Sequence, residues 1–347
     1  MSPRVSVCVP TYNRAGELKK TIESLLGQTY NDWEMIVCDD ASPDDTKEVL
    51  SSIKDDRIRF FRNERNLGLY QNWNRCLELA SGEFVAIYHD HDIYLPHILE
   101  RSVMMLDRHP GAVMVHTASL IIDDENELIG VDIRNLAKYC GGDVMRKMIA
   151  KSNASPVLAA TAMVRREAYQ NVGGYNYSDY GLGCDLDMWF RLSLKGGCCY
   201  IKEPQVLIRA RTRSDDTAQF VWQDVLGTLK MRDRHMDYVF GSSSNIEKYI
   251  NQTRYYFERN YFLAMLMTRA IMLEPRNIAE EGDAILKKYA SPMAWFLAIS
   301  LKKNTVFRNI VKKTILPLHY KKVNRYLRSQ RQELIDYCRV NGYPEGY

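Results

Sequence analysis

The sequence of 347 residues lacks a long hydrophobic run. No apolar stretch approaches the ~20 residues that a helix needs to cross a bilayer. The first ten residues, MSPRVSVCVP, also lack the long apolar core of a secretory signal peptide. We therefore expect a cytoplasmic protein rather than an exported or membrane-spanning one.

Several common binding motifs are missing as well. The eight cysteines include no CxxC pair, which disfavours a cysteine zinc site and a thioredoxin-type redox centre. The dinucleotide fingerprint GxGxxG is absent, and so is the P-loop GxxxxGK followed by Ser or Thr. A glycine-rich loop is thus not available to hold phosphates, and a divalent cation is the alternative way to do so.

Acidic residues are missing from one long segment. Residues 302–331 contain ten Lys and Arg and no Asp or Glu, although the formal net charge of the chain is only +4. Removing these ten from the 47 basic residues leaves 37, against 43 acidic residues, so the remaining chain has a net charge of −6. A mildly acidic body therefore carries a strongly basic segment, which we call the basic segment.

The basic segment has the pattern of an amphipathic helix, because Val306, Phe307, Ile310 and Val311 recur at helical spacing between Lys and Arg. This pattern is typical of a helix that lies on an anionic membrane surface. The alternative is a packed helix with a solvated basic face. Since no recognised nucleic-acid motif accompanies the charge, we expect no nucleic-acid partner.

Short β-branched segments alternate with amphipathic helices through the first 125 residues. RVSVCV, for example, precedes Leu18, Ile22, Leu25 and Leu26, which share one helical face. This alternation predicts an α/β fold with a mainly parallel, Rossmann-like sheet flanked by helices. After about residue 216 the strand signals fade, so we expect an α/β domain over 1–215 and a helical C-terminal extension over 216–347.

Three polar clusters follow predicted strands: PTYNR at 10–14, DDAS at 39–42 and HDHD at 89–92. Ligands of open parallel sheets bind beyond the carboxyl ends of the strands, where these clusters would meet. In an extended chain Asp90 and Asp92 point to one side, and such hard oxygen ligands suit Mg²⁺ or Mn²⁺. The alternative is a solvated acidic turn or a helix cap before Pro96.

Five segments occur in order between residues 5 and 192: VSVCVPTYNR, IVCDDASPDDT, NERNLG with QNWNRCLELASGEFVAIYHDHD, GGY, and CDLDMWFRL. The ordered set resembles the inverting family-2 nucleotide-sugar glycosyltransferases, which have the GT-A fold. The resemblance implies metal-dependent transfer of one sugar, with inversion, from a nucleoside-diphosphate sugar to a hydroxyl of a glycan or lipid-linked saccharide. It also implies Mn²⁺ or Mg²⁺ as cofactor and favours a UDP- or dTDP-sugar donor.

The resemblance assigns donor-binding roles position by position. The matching positions are Pro10, Thr11, Tyr12, Arg14, Asp39, Asp40, Asn66, Gly68, Asn74 and Asp90. Among them, Asp39 would recognise the base, and Asp90 together with Asp92 would hold the metal and the diphosphate. Arg211 and Arg213 alternate beyond a predicted strand and would reach the diphosphate, unless they form a solvated strand edge. Three of these residues have an alternative role, which is core packing for Tyr12, an internal hydrogen bond for Asn74 and a turn for Gly68.

The resemblance also implies a general base. The family's helix opens with a Glu-Asp pair, and here the Glu is replaced by Cys184 while Asp185 keeps the base position. Asp185 would accept the proton of the acceptor hydroxyl, and its alternative role is a helix N-cap. Asp187 and Arg191 are interpreted as structural or acceptor-shaping. The acceptor sugar would stack on aromatic rings, for which we select Tyr175 and Trp189 among the local group that also includes Tyr177 and Tyr180.

The family's processive synthases carry a QxxRW segment and transmembrane helices, and both are missing, which favours a single addition over polymerisation. A nucleotidyltransferase is one alternative, but PTYNRAGELKK is not its usual glycine-rich, lysine-containing phosphate segment. A non-catalytic glycan- or membrane-binding protein on the same fold is the other alternative. The expected place of work is the cytoplasm, with the basic segment at the inner face of the membrane.

Overall fold

The computed structural model describes residues 2–134, 136–151 and 155–210, and four helical positions beyond them, Gly227, Met231, Arg234 and His235. The predicted boundary near residue 215, the basic segment, Arg211 and Arg213 lie outside the described residues. The predicted helical extension does so too, apart from those four positions. Within the described part, no helix combines the length and the hydrophobicity needed to cross a bilayer.

Strands and helices alternate through the described chain, as the sequence predicts. The strands are β1 (Val5–Thr11), β2 (Trp33–Asp39), β3 (Ile58–Arg62), β4 (Phe84–Ile87), β5 (Ile93–Tyr94), β6 (Ala112–Ile122), β7 (Leu128–Asp132), β8 (Tyr139–Cys140), β9 (Ala162–Arg165) and β10 (Gly197–Arg209). The α-helices are α1 (Ala15–Leu26), α2 (Thr46–Ser52), α3 (Leu69–Leu79), α4 (Ile98–Arg108), α5 (Gly142–Lys151), α6 (Arg166–Val172), α7 (Tyr177–Tyr180) and α8 (Cys184–Ser193).

The strands form one sheet in the order β3-β2-β1-β4-β9-β6-β10-β5, with β7 beside β6 and β8 beside β10. The pairs β1–β2, β1–β4, β2–β3 and β6–β10 are parallel, which confirms the predicted mainly parallel α/β sheet. Strand β9 runs antiparallel between β4 and β6. The sequence predicts this strand but not its direction.

The register brings the carboxyl ends of the first four strands to one edge of the sheet. Thr11 pairs with Asp39, Asp39 pairs with Arg62, and Cys8 pairs with Ile87. The loops after these strands therefore start side by side, which is where an open parallel sheet binds its ligands.

Both faces of the sheet are buried, because alternate side chains of each strand point to opposite sides. Val7 and Val9 pack with α1 and α4, including Ile22 and Leu99. The intervening Cys8 packs on the other face, in the cluster that contains α3 and α8. Buried, reduced cysteine is the form expected from the sequence for Cys8.

The described positions after residue 210 contact helices α7 and α8. His235 Nε2 lies 3.0 Å from Asp187 Oδ1, and its ring stacks on Phe190 with 4.2 Å between the ring centroids. Arg234 Nη1 lies 3.4 Å from Asp179 Oδ2. Of these positions, His235 thus packs directly on α8, the helix that carries Asp185.

His116 is a buried histidine in the middle of β6. It pairs with Tyr200 of β10, and the two rings lie 4.8 Å apart. Burial, with a smaller contribution from the charge of Arg134, lowers the pKa of His116 from 6.5 to about 3. His116 is therefore neutral in the folded protein at neutral pH, whereas the unfolded chain protonates it below about pH 6.5.

This difference predicts a loss of stability in mild acid. Stability is complete above the unfolded pKa and falls as the pH drops from about 6.5 towards the folded value, so His116 removes about 2 kcal/mol between pH 7 and pH 5. His116→Phe keeps an aromatic ring that cannot be protonated. Urea unfolding at pH 7 and pH 5 should show a loss smaller by about 2 kcal/mol in this variant. An equal loss in both proteins would contradict the buried neutral state.

Candidate functional site

The segment His89–Asp92 lies between β4 and β5 at the carboxyl edge of the sheet. Thr21 Oγ1 of α1 donates to the main-chain oxygen of Asp92 at 2.8 Å. The main-chain N–H of His89 donates to the Tyr94 hydroxyl at 2.7 Å. The segment is therefore fixed from both sides before any ligand binds.

Asp92 is fully buried at the centre of this segment. Its Oδ1 accepts a hydrogen bond from the Arg209 main-chain N–H at 2.9 Å. Its Oδ2 has no hydrogen-bond partner, and it lies 3.4 Å from His89 Nδ1. A buried carboxylate oxygen left unsatisfied is costly, and a bound cation would remove that cost.

Three residues of the segment place possible metal ligands together. His89, His91 and Asp92 each offer an atom, and these atoms lie within 4.8 Å of one another. Imidazole nitrogen and carboxylate oxygen are common ligands of divalent transition metals. The donor set therefore fits a divalent cation, and we call these three residues the His-His-Asp group.

Asp90, predicted to share the metal with Asp92, does not belong to this group. The prediction assumed an extended chain, but Asp90 and His91 form a turn, so side chains two residues apart do not share a side. Asp90 Oδ1 instead accepts a hydrogen bond from Arg14 Nη1 at 3.2 Å and lies 3.0 Å from His91 Nδ1.

Asp90 and His91 have opposite preferences for charge. Burial raises the pKa of Asp90, but the hydrogen bond with His91 and the charge of Arg14 outweigh it, so the net shift is downward. Burial lowers the pKa of His91 despite the neighbouring carboxylate. An anionic Asp90 beside a neutral His91 is the result at neutral pH, with Arg14 at the N-terminus of α1 supplying the nearby positive charge.

Asp39 and Asp40, at the end of β2, are buried carboxylates that organise the neighbouring loops. Asp39 Oδ1 accepts from the Ser42 N–H at 2.9 Å, and its Oδ2 pairs with Arg62 of β3. Asp40 accepts from the main-chain N–H groups of Leu67 and Gly68 at 2.8 and 2.9 Å. A ligand base that reaches Asp39 must therefore compete with Arg62.

The loop that Asp40 holds contains two of the predicted donor residues. Gly68 has φ +88°, a conformation that favours glycine, and it begins helix α3. Asn66 is exposed, and its Oδ1 accepts a second contact from the Gly68 N–H at 2.9 Å. Both residues shape the loop, and Asn66 presents its side chain to solvent at the carboxyl edge.

Three predicted residues lie at the end of β1. Pro10 and Thr11 are buried within the strand, whereas Tyr12 is 45% exposed. Such exposure excludes core packing as the role of Tyr12 in the folded chain. The next residue, Asn13, donates its N–H to Ser42 Oγ at 2.9 Å, which joins the loops after β1 and β2.

Asn74 links helix α3 to the segment before α7. Its Nδ2 donates to the Tyr175 main-chain oxygen at 3.0 Å, and its Oδ1 accepts from the Tyr175 N–H at 2.7 Å. A Cβ on Gly174 would lie only 2.5 Å from that Oδ1, so the contact requires glycine there. Asn74 thus makes the internal hydrogen bonds that the sequence left as the alternative to donor contact.

Aromatic rings connect the His-His-Asp group with Tyr175. The Trp73 ring lies 5.5 Å from His89 and 5.1 Å from Tyr175. Tyr177 stacks on Tyr70 at 5.4 Å and is 43% exposed. We call Tyr70, Trp73, Tyr175 and Tyr177 the aromatic cluster.

The predicted acceptor rings differ in their access to solvent. Trp189 is fully buried in the core, so in this structure it offers no face to a sugar, and Tyr175 is only 5% exposed. Helical spacing alone does not tell which side of α8 faces the core. Tyr177 is the exposed ring beside Tyr175.

Asp185 lies in the first turn of α8, and the N-cap of that helix is Gly183. Asp185 is therefore not the N-cap that the sequence left as its alternative role. Burial raises the pKa of Tyr175, and the charges of Tyr169 and Asp185 contribute to the same shift. Cys184, at the position of the family's Glu, is fully buried.

Asp187 and Arg191 make structural contacts, in agreement with the structural interpretation of the sequence. Arg191 Nε donates to Asp187 Oδ2 at 2.7 Å, and Arg191 Nη1 donates to the Val172 main-chain oxygen at 2.7 Å. This pair ties α8 to the end of α6. The segment HDHD also contains His89 and His91, which sequence reasoning did not consider as candidate metal ligands.

The chain is similar to known proteins along most of its described length. The family model described as Glycosyl transferase family 2 matches residues 6–173. EpsE of Bacillus subtilis (strain 168) is 32% identical over 218 residues, which cover 61% of this chain and 74% of EpsE. The UDP-Glc:alpha-D-GlcNAc-diphosphoundecaprenol beta-1,3-glucosyltransferase WfgD of Escherichia coli is 30% identical over 159 residues, covering 44% of this chain and 62% of WfgD.

A solved structure supports the fold. The mannosyltransferase PcManGT of Pyrobaculum calidifontis, in complex with GDP-Man and Mn²⁺, superposes with a TM-score of 0.53 at 17% identity. The match covers 90% of this chain and 88% of PcManGT. Together with the strand order and the extent of the match to EpsE, these similarities show that the chain belongs to glycosyl transferase family 2 and has the GT-A fold.

Proposed function

We propose that this glycosyltransferase is a metal-dependent, inverting enzyme that adds one sugar to a hydroxyl of a glycan or lipid-linked saccharide. One observation carries the proposal: His89, His91 and Asp92 bring three possible metal ligands within 4.8 Å of one another at the carboxyl edge of the sheet. A cation held there would offset the charge of a nucleoside diphosphate, and Asp185, in the first turn of α8, supplies the carboxylate for the acceptor side.

The donor lies along the carboxyl edge of the sheet in this proposal. The exposed ring of Tyr12 stacks on the base, and Asp39 recognises the base in competition with Arg62. Pro10 and Thr11 support the nucleoside, and Asp40 holds the loop of Asn66 and Gly68 around it. A UDP- or dTDP-sugar is the proposed donor, and the similarity to WfgD, which is named for UDP-Glc, supports a UDP-sugar.

The diphosphate lies towards the His-His-Asp group. Mn²⁺ or Mg²⁺ bound by these residues would neutralise charge on the leaving diphosphate. Support comes from the donor set itself and from PcManGT, whose complex contains Mn²⁺ with GDP-Man. Arg14 adds a positive charge beside Asp90, and Arg211 and Arg213 keep their proposed role at the diphosphate.

Asp185 acts as the general base. It accepts the proton of the acceptor hydroxyl while that oxygen forms a bond to the anomeric carbon. The bond between the anomeric carbon and the diphosphate oxygen breaks on the opposite face, and its electron pair leaves with the nucleoside diphosphate. The first turn of α8 suits this role, because a helix N-terminus favours negative charge.

The acceptor lies on the exposed side of the aromatic cluster. Tyr177 is the ring that a sugar can stack on, and Tyr175 contributes at its edge. Trp189 is left out of this role because it is fully buried. The similarity to WfgD supports a lipid-linked saccharide as the acceptor, because WfgD is named for an acceptor linked to diphosphoundecaprenol.

The basic segment holds the enzyme on the inner face of the membrane in this proposal. Its ten positive charges without a compensating acidic residue support binding to anionic lipid, and a lipid-linked acceptor would be found there. A packed helix with a solvated basic face is the alternative. We expect no nucleic-acid partner.

Asp185→Asn tests the base. General-base catalysis typically contributes 10²- to 10⁴-fold, so we expect transfer to fall by at least ~100-fold. Binding of the UDP-sugar, measured by calorimetry, should change little, since Asp185 is assigned to the acceptor side. The assay measures labelled sugar transferred from UDP-, dTDP- and GDP-sugars to undecaprenyl-diphosphate-linked saccharides.

Asp56→Asn provides the matched control, because Asp56 is exposed near the amino end of β3, away from the carboxyl edge. It should keep wild-type transfer. Wild-type turnover in Asp185→Asn would show that the base is another group. If the wild type binds donors but neither it nor a variant transfers sugar, the non-catalytic alternative is favoured. Nucleotide transfer instead of sugar transfer would favour a nucleotidyltransferase.

Replacing Lys312, Lys313, Lys321 and Lys322 with Gln tests the membrane proposal. Each basic residue near an anionic surface contributes about 1 kcal/mol, so co-sedimentation with phosphatidylglycerol vesicles should fall strongly. Donor binding should not change. The control replaces four exposed lysines of the body: Lys19, Lys20, Lys47 and Lys54. Equal sedimentation of both variants would favour the packed-helix alternative.

A further inference from the structure

The segment HDHD offers two imidazole side chains, those of His89 and His91, whereas Mg²⁺ prefers oxygen ligands. His89 and His91 stack with 5.4 Å between their ring centroids, and both offer a ring nitrogen to the group that contains Asp92. We propose that His89, His91 and Asp92 form a nitrogen-rich cation site that binds first-row transition metals more tightly than Mg²⁺. The role given to the ion rests on the proposed function. Binding of the ion to these residues does not depend on that function.

Two atoms of the group are buried without a hydrogen-bond partner. One is Asp92 Oδ2, and the other is His89 Nε2. Buried polar atoms in folded proteins are almost always satisfied, so two such atoms on neighbouring residues call for a ligand. A cation accepts lone pairs from both a carboxylate oxygen and an imidazole nitrogen.

The backbone holds the group in place without that ligand. The main-chain N–H of Arg209 donates to Asp92 Oδ1, and its Nε donates to the main-chain oxygen of His91 at 3.3 Å. The remaining guanidinium hydrogens bind the turn after β6, including the Asp123 main-chain oxygen at 2.7 Å. Because the ligands are anchored to β10, they are pre-organised for one ion.

Asp90 has a different role from that of a metal ligand. Its Oδ1 lies 3.0 Å from His91 Nδ1, while His91 Nε2 lies 3.8 Å from Asp92 Oδ1. A histidine that donates its Nδ1–H to a carboxylate leaves the Nε2 lone pair for a metal, and such carboxylates orient the ligand ring. We therefore assign Asp90 as the positioning residue of His91.

Arg14 is the second contact of this pair. Its Nη1 lies 2.7 Å from His91 Nδ1 and 3.2 Å from Asp90 Oδ1. When His91 donates to Asp90, Arg14 donates to Asp90 alone, so the carboxylate keeps a compensating charge. The tautomer of His91 thus decides whether its Nδ1 donates to Asp90 or accepts from Arg14, and only the first leaves the Nε2 lone pair for a metal.

The ligand set determines which ions bind. Mg²⁺ prefers oxygen ligands and retains its waters, whereas imidazole suits transition metals, and affinity rises from Mn²⁺ through Co²⁺. Two nitrogens and one oxygen therefore predict the order Mg²⁺ below Mn²⁺ below Co²⁺. A pair of aspartates would give the same order with smaller differences, so the size of the gap between Mg²⁺ and Co²⁺ identifies the imidazole ligands.

The test is direct metal binding to the full chain without nucleotide, by calorimetry and by the visible absorption of Co²⁺. Wild type should bind Co²⁺ at least ~10-fold more tightly than Mg²⁺. His89→Asn, His91→Asn and Asp92→Asn should each lose at least ~10-fold in Co²⁺ affinity, and Asp90→Asn about 10-fold through its effect on His91. His97→Asn is the control, because His97 is exposed and lies outside the group, and it should not change binding.

Two further readouts keep the outcome clear. The double variant with His89→Asp and His91→Asp should still bind metal but with a much smaller preference for Co²⁺ over Mg²⁺, which a merely unfolded protein does not do, and circular dichroism checks each variant's fold. Equal affinity for Mg²⁺ and Co²⁺ in wild type, or wild-type Co²⁺ binding after loss of both imidazoles, would overturn the proposed ligands. Metal binding as expected without any sugar transfer would instead contradict the proposed function and leave the ligand set intact.

Discussion

The buried carboxylate of Asp92 is the constraint on which the rest of the site depends. Ionised groups are expensive to bury, and Asp92 is fully buried with only one oxygen hydrogen-bonded. That single bond comes from β10, while α1 holds the main-chain oxygen of the same residue. Asp92 thus joins α1 and β10 at the carboxyl edge, and the Trp73 ring lies against His89 at the start of the same segment.

Buried aspartates also shape the other parts of the site. Asp39 and Asp40 hold the loops after β1, β2 and β3, and Asp187 holds α8 through Arg191. In each case main-chain N–H groups or an arginine satisfy the carboxylate, so the loops have few alternative arrangements. These acidic residues thus have structural roles, whereas Asp90 and Asp185 have the proposed functional ones.

Hydrophobic periodicity is sufficient to predict much of this fold. β1 to β4 and the helices α1, α3 and α4 lie in the first 125 residues, where the alternation of short β-branched segments with amphipathic ones predicts strands and helices. The short strands β5 and β8 have only two residues each, too few to show a period. Whether β9 runs parallel or antiparallel depends on its neighbours β4 and β6. The local sequence of β9 does not identify these neighbours.

In the site, too, some features could be predicted from the local sequence, and others depend on contacts between distant segments. The three polar clusters were predicted to meet because strand ends meet, and the register brings them side by side. The turn at Asp90, the burial of Trp189 and the hydrogen bonds of Asn74 depend on the packing of distant segments. Sequence spacing treated Asp90 and Asp92 as equivalent, whereas in the structure Asp90 contacts Arg14 and His91, and Asp92 accepts a hydrogen bond from Arg209.

Inversion at the anomeric carbon is the central chemical claim, because it follows from a single displacement assisted by Asp185 on the face opposite to the diphosphate. The direct measurement is proton NMR of the glycosidic linkage formed from an α-configured UDP-sugar by the full chain. The account predicts a β-linked product, with the large coupling between H1 and H2 that is typical of a β-glucoside. An α-linked product would contradict it.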